Sequence, residues 1–473
     1  MLKSLWNSLS FQQKCLLHEK ENQVDSGGSA PAGANLEVQL AENCNNCGEE
    51  SNLCKCDHHI NVKSVAAGGT NLAEEHDHEA NSSLAHTVIN MVGTLIGLGQ
   101  LSTPYAVEQG GWGASAIFLI GLGVICTYTS HLLGKCLKKN PKLRGYVDIG
   151  YHAFGAKGRF IVATFIYMET FMSLVSYTIS LHDNLMTVLH LKLHLAKLSS
   201  PQLLTIGAVL IVLPSLWLRD LSSISFLSIL AVLMTLVIFV SVAATGIVGD
   251  VRVNHKISFL HLHNIPSISG LYIFSYAGHI VFPNLHKAMK DPSKFTKASI
   301  VSFTLVTTLY TILGYMGAKM FGPEVNSQVT LSMPPKQIVT KIALWATVLT
   351  PMSKYALAFA PCAIQLEHRL PNSMSGRTKM IVRGLIGSSL LLVILALALT
   401  VPYFEHALSL TGSVVSVAIC LIFPCAFYMK IFWGHITKPL LILNMSIITL
   451  GFLLGVMGTI STTKSLVKIF LAS

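Results

Sequence analysis

Beyond residue 83 the chain is almost continuously apolar, and the solvent such a sequence fits is a bilayer. Crossing a hydrocarbon core of about 30 Å takes roughly 20 helical residues. Stretches of that order cover residues 84–107, 112–133, 160–189, 203–218, 224–248, 266–285, 298–321, 338–366, 381–401, 404–428 and 440–460. In lipid every backbone N–H and C=O must find a partner inside the protein, so long apolar runs read as helices and the expected fold is an all-α membrane protein of eleven transmembrane helices. Two of the runs are interrupted. The first reads Gly97-Leu98-Gly99-Gln100-Leu101-Ser102-Thr103-Pro104 and the sixth reads Gly278-His279-Ile280-Val281-Phe282-Pro283, with a glycine five residues before a proline in each, Gly99 to Pro104 and Gly278 to Pro283. Proline removes a helical hydrogen bond, and lipid offers the freed groups nothing in exchange. Those groups must face protein, water or a solute. Broken first and sixth helices are what an inverted-repeat secondary transporter uses to hold its solute at mid-membrane.

Composition excludes the main alternatives. With 52% apolar and 12% charged residues and a mean hydropathy of +0.58, the chain is unlike a soluble domain of its 473 residues. The formal charge of +11 does not point to nucleic acid, because it is unevenly spread. Residues 1–83 carry five lysines against twelve acids, a net −7, which leaves +18 for the remainder. The first eighty or so residues are polar, so no cleavable signal sequence is expected and the first helix acts as an uncleaved anchor. With the N-terminus in the cytosol, eighteen Lys and Arg fall in cytosolic loops and nine on the opposite side, with only Lys354 inside a segment. That bias predicts N-terminus in and C-terminus out. Residues 1–83 are expected to form a largely disordered cytosolic tail, rich in Gly, Ser, Asn and Glu, and residues 84–473 the transmembrane domain.

Further motifs run in order along the chain. Leu101-Ser102-Thr103-Pro104-Tyr105-Ala106 is followed by Glu108-Gln109-Gly110-Gly111-Trp112, then by Tyr146-Val147-Asp148-Ile149-Gly150 with Ala153-Phe154-Gly155. Phe282-Pro283-Asn284 leads to Met289-Lys290-Asp291-Pro292, Met320-Phe321-Gly322 to Ser327-Gln328-Val329-Thr330-Leu331, and Lys354-Tyr355-Ala356-Leu357 lies in the eighth segment. The series resembles the amino acid/auxin permease family, in particular its plant and fungal vacuolar amino acid transporter branch, over nearly all of the chain after Leu84. What the resemblance implies is a LeuT-like fold, a 5+5 inverted repeat with helices 1 and 6 broken and one helix added. It also implies a secondary carrier of amino acids at the vacuolar or another endomembrane, coupled to protons by alternating access, with the C-terminus in the lumen. Two positions depart from the family pattern: Gly93, where an Asn is frequent, and Ser176, where a second acid usually follows the acid of the third helix.

The chemistry of the breaks fits an amino acid without reference to the family. Free N–H groups at a half-helix start suit a carboxylate, and free carbonyls at a half-helix end suit an ammonium. Thr94, Gly97, Leu98 and Gly99 in the first break, with Ser275, Tyr276, Ala277 and Gly278 in the sixth, are therefore the candidate substrate-binding residues. The alternative is that these small residues serve only close helix packing. Ionisable groups at hydrocarbon depth need a reason, and three are coupling candidates. Glu169 is the only acid well inside an apolar run, and serves as proton carrier, ammonium anchor or structural partner of a neighbouring polar group. His279 lies within the sixth break and either titrates in the physiological range or satisfies backbone groups freed by Gly278. Lys354, after Thr350 and Ser353, lies in the eighth segment, where LeuT-like carriers hold sodium between the first and eighth helices; a fixed ammonium there would replace that cation.

In the tail, Cys44, Cys47, Cys54 and Cys56 have spacings that can chelate zinc, although the second pair is Cys-x-Cys and the loop between pairs is short. A reduced, flexible tail with no metal is the preferred reading. No nucleophile elbow, phosphate loop or ATPase motif is present, so neither enzymatic activity nor a cofactor is expected. The expected partners are an amino acid, a proton and the lipid bilayer. Two other functions remain open: an amino acid sensor of the same fold, and a plasma-membrane carrier of an amino-acid-like solute.

Overall fold

The computed structural model describes residues 82–189, 206–207, 221–248, 255–369, 374–401 and 403–472. The cysteine candidates of the tail and almost all of the fourth expected segment lie outside them. The described residues form helices and turns with no strand, apart from a single bridge in which Ser82 N–H donates to Ala288 O and Lys290 N–H to Ser82 O. The helices are α1 (Leu84–Leu95), α2 (Leu98–Gly110), α3 (Trp112–Lys139), α4 (Tyr146–Leu189), α5 (Leu221–Val248), α6 (Ile265–Ser275), α7 (Phe282–Ala288), α8 (Phe295–Phe321), α9 (Ile338–Arg369), α10 (Gly376–Thr400), α11 (Phe404–Thr411), α12 (Phe423–Ile431) and α13 (Lys438–Ala472). Among the described residues six helices are long and apolar enough to cross a membrane, or seven if the bent pair α1–α2 is one span. That number is smaller than the eleven expected segments.

The breaks fall where glycine and proline loosen the chain, but the two differ. In the first, α1 stops at Leu95, Ile96 and Gly97 leave the helix, and α2 resumes at Leu98 with its axis turned by 59°. The interval from Gly99 to Pro104, expected to be non-helical, lies inside α2. The hydroxyls of Ser102 and Thr103 donate to the Gly99 carbonyl at 3.1 and 2.9 Å, while the carbonyl that Pro104 leaves without its helical donor is that of Gln100, one residue further on. In the sixth, the interval from Gly278 does leave the helix: α6 ends at Ser275, residues 276–281 form turns, and Pro283 sits in the first turn of α7, where its missing N–H costs nothing. The two interruptions are thus not built alike, because only the second proline marks a helix start.

Other sequence features set the frame around them. Gly155 (φ 66) turns a short first piece of α4 into its long membrane piece, a left-handed conformation that favours glycine. The tenth expected segment is regular only at its ends: between α11 and α12 the chain passes through π-helical turns at Gly412–Ser416 and Ala418–Ile422. There α6 comes so close that a Cβ on Gly412 would overlap the Gly270 carbonyl. The core contains α2 and α6, with α8 against α1–α3, α9 against α4 and α5, and α13 behind α6. Few residues of α2 are exposed, whereas α13 carries exposed Ile442, Phe452 and Leu453 as a lipid-facing helix does.

Candidate functional site

A helix that stops in hydrocarbon leaves carbonyls without intrahelical donors. At the first break the carbonyls nearest the bend are met by the protein. Leu95 O accepts the Tyr310 hydroxyl of α8 at 2.8 Å, Ile96 O accepts the Lys354 ammonium of α9 at 2.6 Å, and Gly97 O accepts Gln100 N–H at 3.1 Å. At the sixth break Ser275 O lies 3.2 Å from the same Tyr310 hydroxyl. One buried phenol therefore ties both breaks to α8. The carbonyls expected to serve a substrate ammonium are those of Gly97 and Gly99; in this conformation Gly97 O accepts Gln100 N–H and Gly99 O the Ser102 and Thr103 hydroxyls, while Tyr310 and Lys354 occupy Leu95 O and Ile96 O.

The glycines serve close packing here. A Cβ on Gly99 would overlap Ser275 itself, so the start of α2 lies directly against the end of α6. Gly97 faces the Lys354 ammonium, and Gly278 faces Leu95 and Phe282. Leu98 is buried, Ala277 is partly exposed, and the Thr94 hydroxyl is turned back to Asn90 O at 2.8 Å. Tyr276 points away from the break: its hydroxyl donates to Leu119 O at 2.9 Å and pairs with Thr307 at 2.8 Å. The structure thus sets Gly97 against Lys354, Gly99 against Ser275 and Gly278 against Leu95, and leaves the Tyr276 ring and the Thr94 hydroxyl elsewhere. Cavities of 540 Å³, between α3 and α8, and of 670 Å³, at one end of the bundle, are not lined by any of the break residues.

Glu169 is buried on α4, and both its carboxylate oxygens lie 2.9 Å from the Ser416 hydroxyl in the first π-helical turn. A π-helical turn displaces the regular backbone ladder, and nearby Ile419 O is held at 2.6 Å by the Tyr146 hydroxyl, a residue of the Tyr-Val-Asp motif. His279 is fully buried, and its partners belong to α3 rather than to the backbone freed by Gly278: Nε2 lies 3.2 Å from Cys126 O and 2.9 Å from the Thr129 hydroxyl. A carbonyl only accepts, so Nε2 carries the proton, and Nδ1 is left buried without a partner. Three acid–base candidates therefore occupy three different helix contacts.

Sequence reasoning missed several participants. Tyr310 and Ser416 carry no spacing signal; the available hint was only that a phenol or hydroxyl at hydrocarbon depth needs an acceptor. The Ser-Gln-Val-Thr-Leu motif proved to be an anchor. Gln328 Oε1 accepts from Ser180 and Asn184, both at 2.6 Å, its amide donates to Asp183 at 2.7 Å, and Thr330 donates to Asn184 Oδ1 at 2.9 Å. The connection after α8 is thereby fixed onto α4. On the same side, His255 lies 3.1 Å from Glu108 of α2. Ser176, where the family usually has an acid, turns its hydroxyl onto Met172 O of its own helix.

Multiple membrane-crossing helices and a broken first and sixth segment define a multi-pass membrane protein of the LeuT-like class. Two solved structures share the fold: "Inward facing conformation of Mhp1" (TM-score 0.51, 14% identity, 80% of this chain and 88% of that one) and "Substrate-bound outward-open state of a Na+-coupled sialic acid symporter reveals a novel Na+-site" (TM-score 0.50, 13% identity, 81% and 88%). The family described as transmembrane amino acid transporter protein matches residues 80–464, and this chain belongs to it, the amino acid/auxin permease family. Similar proteins of Arabidopsis thaliana are amino acid transporter AVT1H, 58% identical over 90% of this chain and 98% of that protein, and amino acid transporter AVT1E, 37% identical over 81% and 74%.

Proposed function

We propose that this chain is a secondary active carrier of amino acids at the vacuolar or another endomembrane, coupled to protons by alternating access. Its relatives are named amino acid transporters, and its family is one of membrane transporters rather than enzymes. The finer architecture belongs to the same proposal: eleven helices as a 5+5 repeat plus one, residues 84–473 as carrier, residues 1–83 in the cytosol and the C-terminus in the lumen. Thr94, Gly97, Leu98, Gly99, Ser275, Tyr276, Ala277 and Gly278 contribute to the substrate site, chiefly through backbone, in a conformation where α2 and α6 separate.

The observation that carries the coupling is the 2.6 Å contact from the Lys354 ammonium to the Ile96 carbonyl. It supports a fixed cation bridging the first and eighth segments, where a sodium-driven carrier of this fold needs a mobile one. A lysine that holds the break through its charged form can release it on losing the proton. Glu169, on Ser416, and His279, with a bare Nδ1, are the further proton-handling candidates. Uptake by proteoliposomes under an imposed pH gradient, and separately under a sodium gradient, tests the reading. Accumulation is expected to need the pH gradient and ignore sodium; sodium-driven or pH-independent accumulation refutes it.

A further inference from the structure

The 540 Å³ cavity between α3 and α8 is a groove in the outer surface of two membrane-crossing helices. Ile120, Val124 and Ile300 line it and are exposed, so at this depth the groove opens to lipid. The hydroxyls of Thr127 and Thr308 are turned back onto Gly123 O and Thr304 O of their own helices, at 2.7 and 2.9 Å, which leaves their methyl groups for an apolar occupant. The length is that of one leaflet. Eleven residues separate Ile120 from His131, a rise of about 16 Å along α3, and half of a hydrocarbon core of about 30 Å is about 15 Å.

At the His131 end the chemistry changes. His131 Nδ1 and the Thr296 hydroxyl close the groove at 2.7 Å. Beyond them the same stripe of α3 continues, four and seven residues on, to Lys135 and Lys138, and Lys297 follows Thr296 on α8. Lys135 lies over the Tyr428 ring at 5.6 Å. Lys138 and Lys297 are exposed and have no acid or hydrogen-bond partner among the described residues. The connection into α8 adds Lys287, Lys290 and Lys294 against one acid, Asp291, which is already held by Lys294 at 3.2 Å. An apolar slot one leaflet deep that ends in unpaired cations is complementary to one kind of membrane component. Basic pockets between transmembrane helices recognise anionic lipid head groups.

We propose that this groove seats one anionic glycerophospholipid, with an acyl chain between α3 and α8 and its head group among Lys135, Lys138 and Lys297. A lipid without charge leaves those cations unanswered, and a choline lipid brings a cation of its own to them. The proposed orientation puts this end of both helices at the cytosolic leaflet, where anionic lipids lie. The site is separate from the breaks and independent of which solute is carried.

The test is native mass spectrometry of the purified full-length protein in a neutral detergent, dosed with phosphatidylserine or with phosphatidylcholine of the same acyl chains. One phosphatidylserine is expected to stay bound per chain, about tenfold in preference to phosphatidylcholine. Lys138→Gln and Lys297→Gln, both at exposed positions, are each expected to lower that preference about threefold to fivefold. Thr304→Trp, at an exposed position of the groove wall, is expected to reduce retention of both lipids alike, because the ring takes the place of the chain. Glycerophosphoserine, the same head without chains, is expected not to displace the lipid. A preference unmoved by both lysine substitutions, retention unmoved by Thr304→Trp, displacement by the chain-free head, or wild-type protein that retains neither lipid each overturns the lipid site. None of these results bears on transport, so the carrier reading stands or falls separately.

Discussion

Tyr310→Phe deletes one oxygen and keeps the ring that packs in the core. That oxygen donates to Leu95 O at 2.8 Å and lies 3.2 Å from Ser275 O, the terminal carbonyls of α1 and α6. Neither has a donor in its own helix, and the site is buried. A net buried hydrogen bond contributes about 0.5–1.5 kcal/mol, and a buried acceptor stripped of its only strong donor costs about 1–3 kcal/mol. Opposing this is only the relief of no longer burying one hydroxyl. The conformation with both breaks packed should lose about 2 kcal/mol, roughly a thirtyfold fall in its weight against competing states. The assay is thermal unfolding of the detergent-solubilised protein, with initial uptake rates in proteoliposomes alongside. The midpoint is expected to fall by a few degrees and the uptake kinetics to change, as the proposed alternating-access carrier requires the two breaks to part. Tyr315→Phe is the control: its hydroxyl also donates to a backbone carbonyl, that of Trp112, but in an exposed setting where water replaces it, so less than about 1 kcal/mol is expected. If Tyr310→Phe matches the wild type in both midpoint and rate, the carbonyl accounting at the breaks is wrong.

Lys354→Met leaves Ile96 O unpaired but removes an ammonium at membrane depth, two effects of about 2–3 kcal/mol that oppose each other. Stability is therefore expected within about 1 kcal/mol of wild type, while pH-driven accumulation is lost and substrate exchange is retained; accumulation at wild-type level would refute the coupling role. Glu169→Gln is expected to abolish accumulation driven by the pH gradient while exchange persists, and Ser416→Ala to weaken it about tenfold or less; equal accumulation in Glu169→Gln and wild type would make that acid structural. Gly99→Ala places a methyl on Ser275, with strain of at least about 1–3 kcal/mol, and is expected to lower both the yield of folded protein and its thermal midpoint; an unchanged midpoint would show that α2 and α6 do not touch there.

Much of this protein was legible because membranes impose few solutions. Apolar runs of helical length, and a glycine–proline pair that no unsupported helix survives, announce the class before any contact is known. The motifs were legible for family, but the left-handed turn at Gly155 and the anchoring by Gln328 became visible only in the structure. The site was less so. From Gly99-to-Pro104 alone the break seemed to follow Gly99, yet it precedes it: Ile96 and Gly97 leave the helix and α2 runs on through Pro104. Which carbonyls stand free depended on Tyr310, over two hundred residues away in the chain, and on Lys354.

By itself, then, the sequence determined the solvent, the helical class and the neighbourhoods of the two breaks, since these follow from hydrophobicity and from local proline and glycine chemistry, while the family came from the resemblance of its ordered motifs. Only the tertiary structure decided who satisfies the failed backbone, and that Glu169 meets Ser416 while His279 meets Cys126 and Thr129. Partners of that kind come from distant segments, and their choice is fixed by the requirement that buried polar groups be paired, a condition on the packed whole that no local pattern encodes.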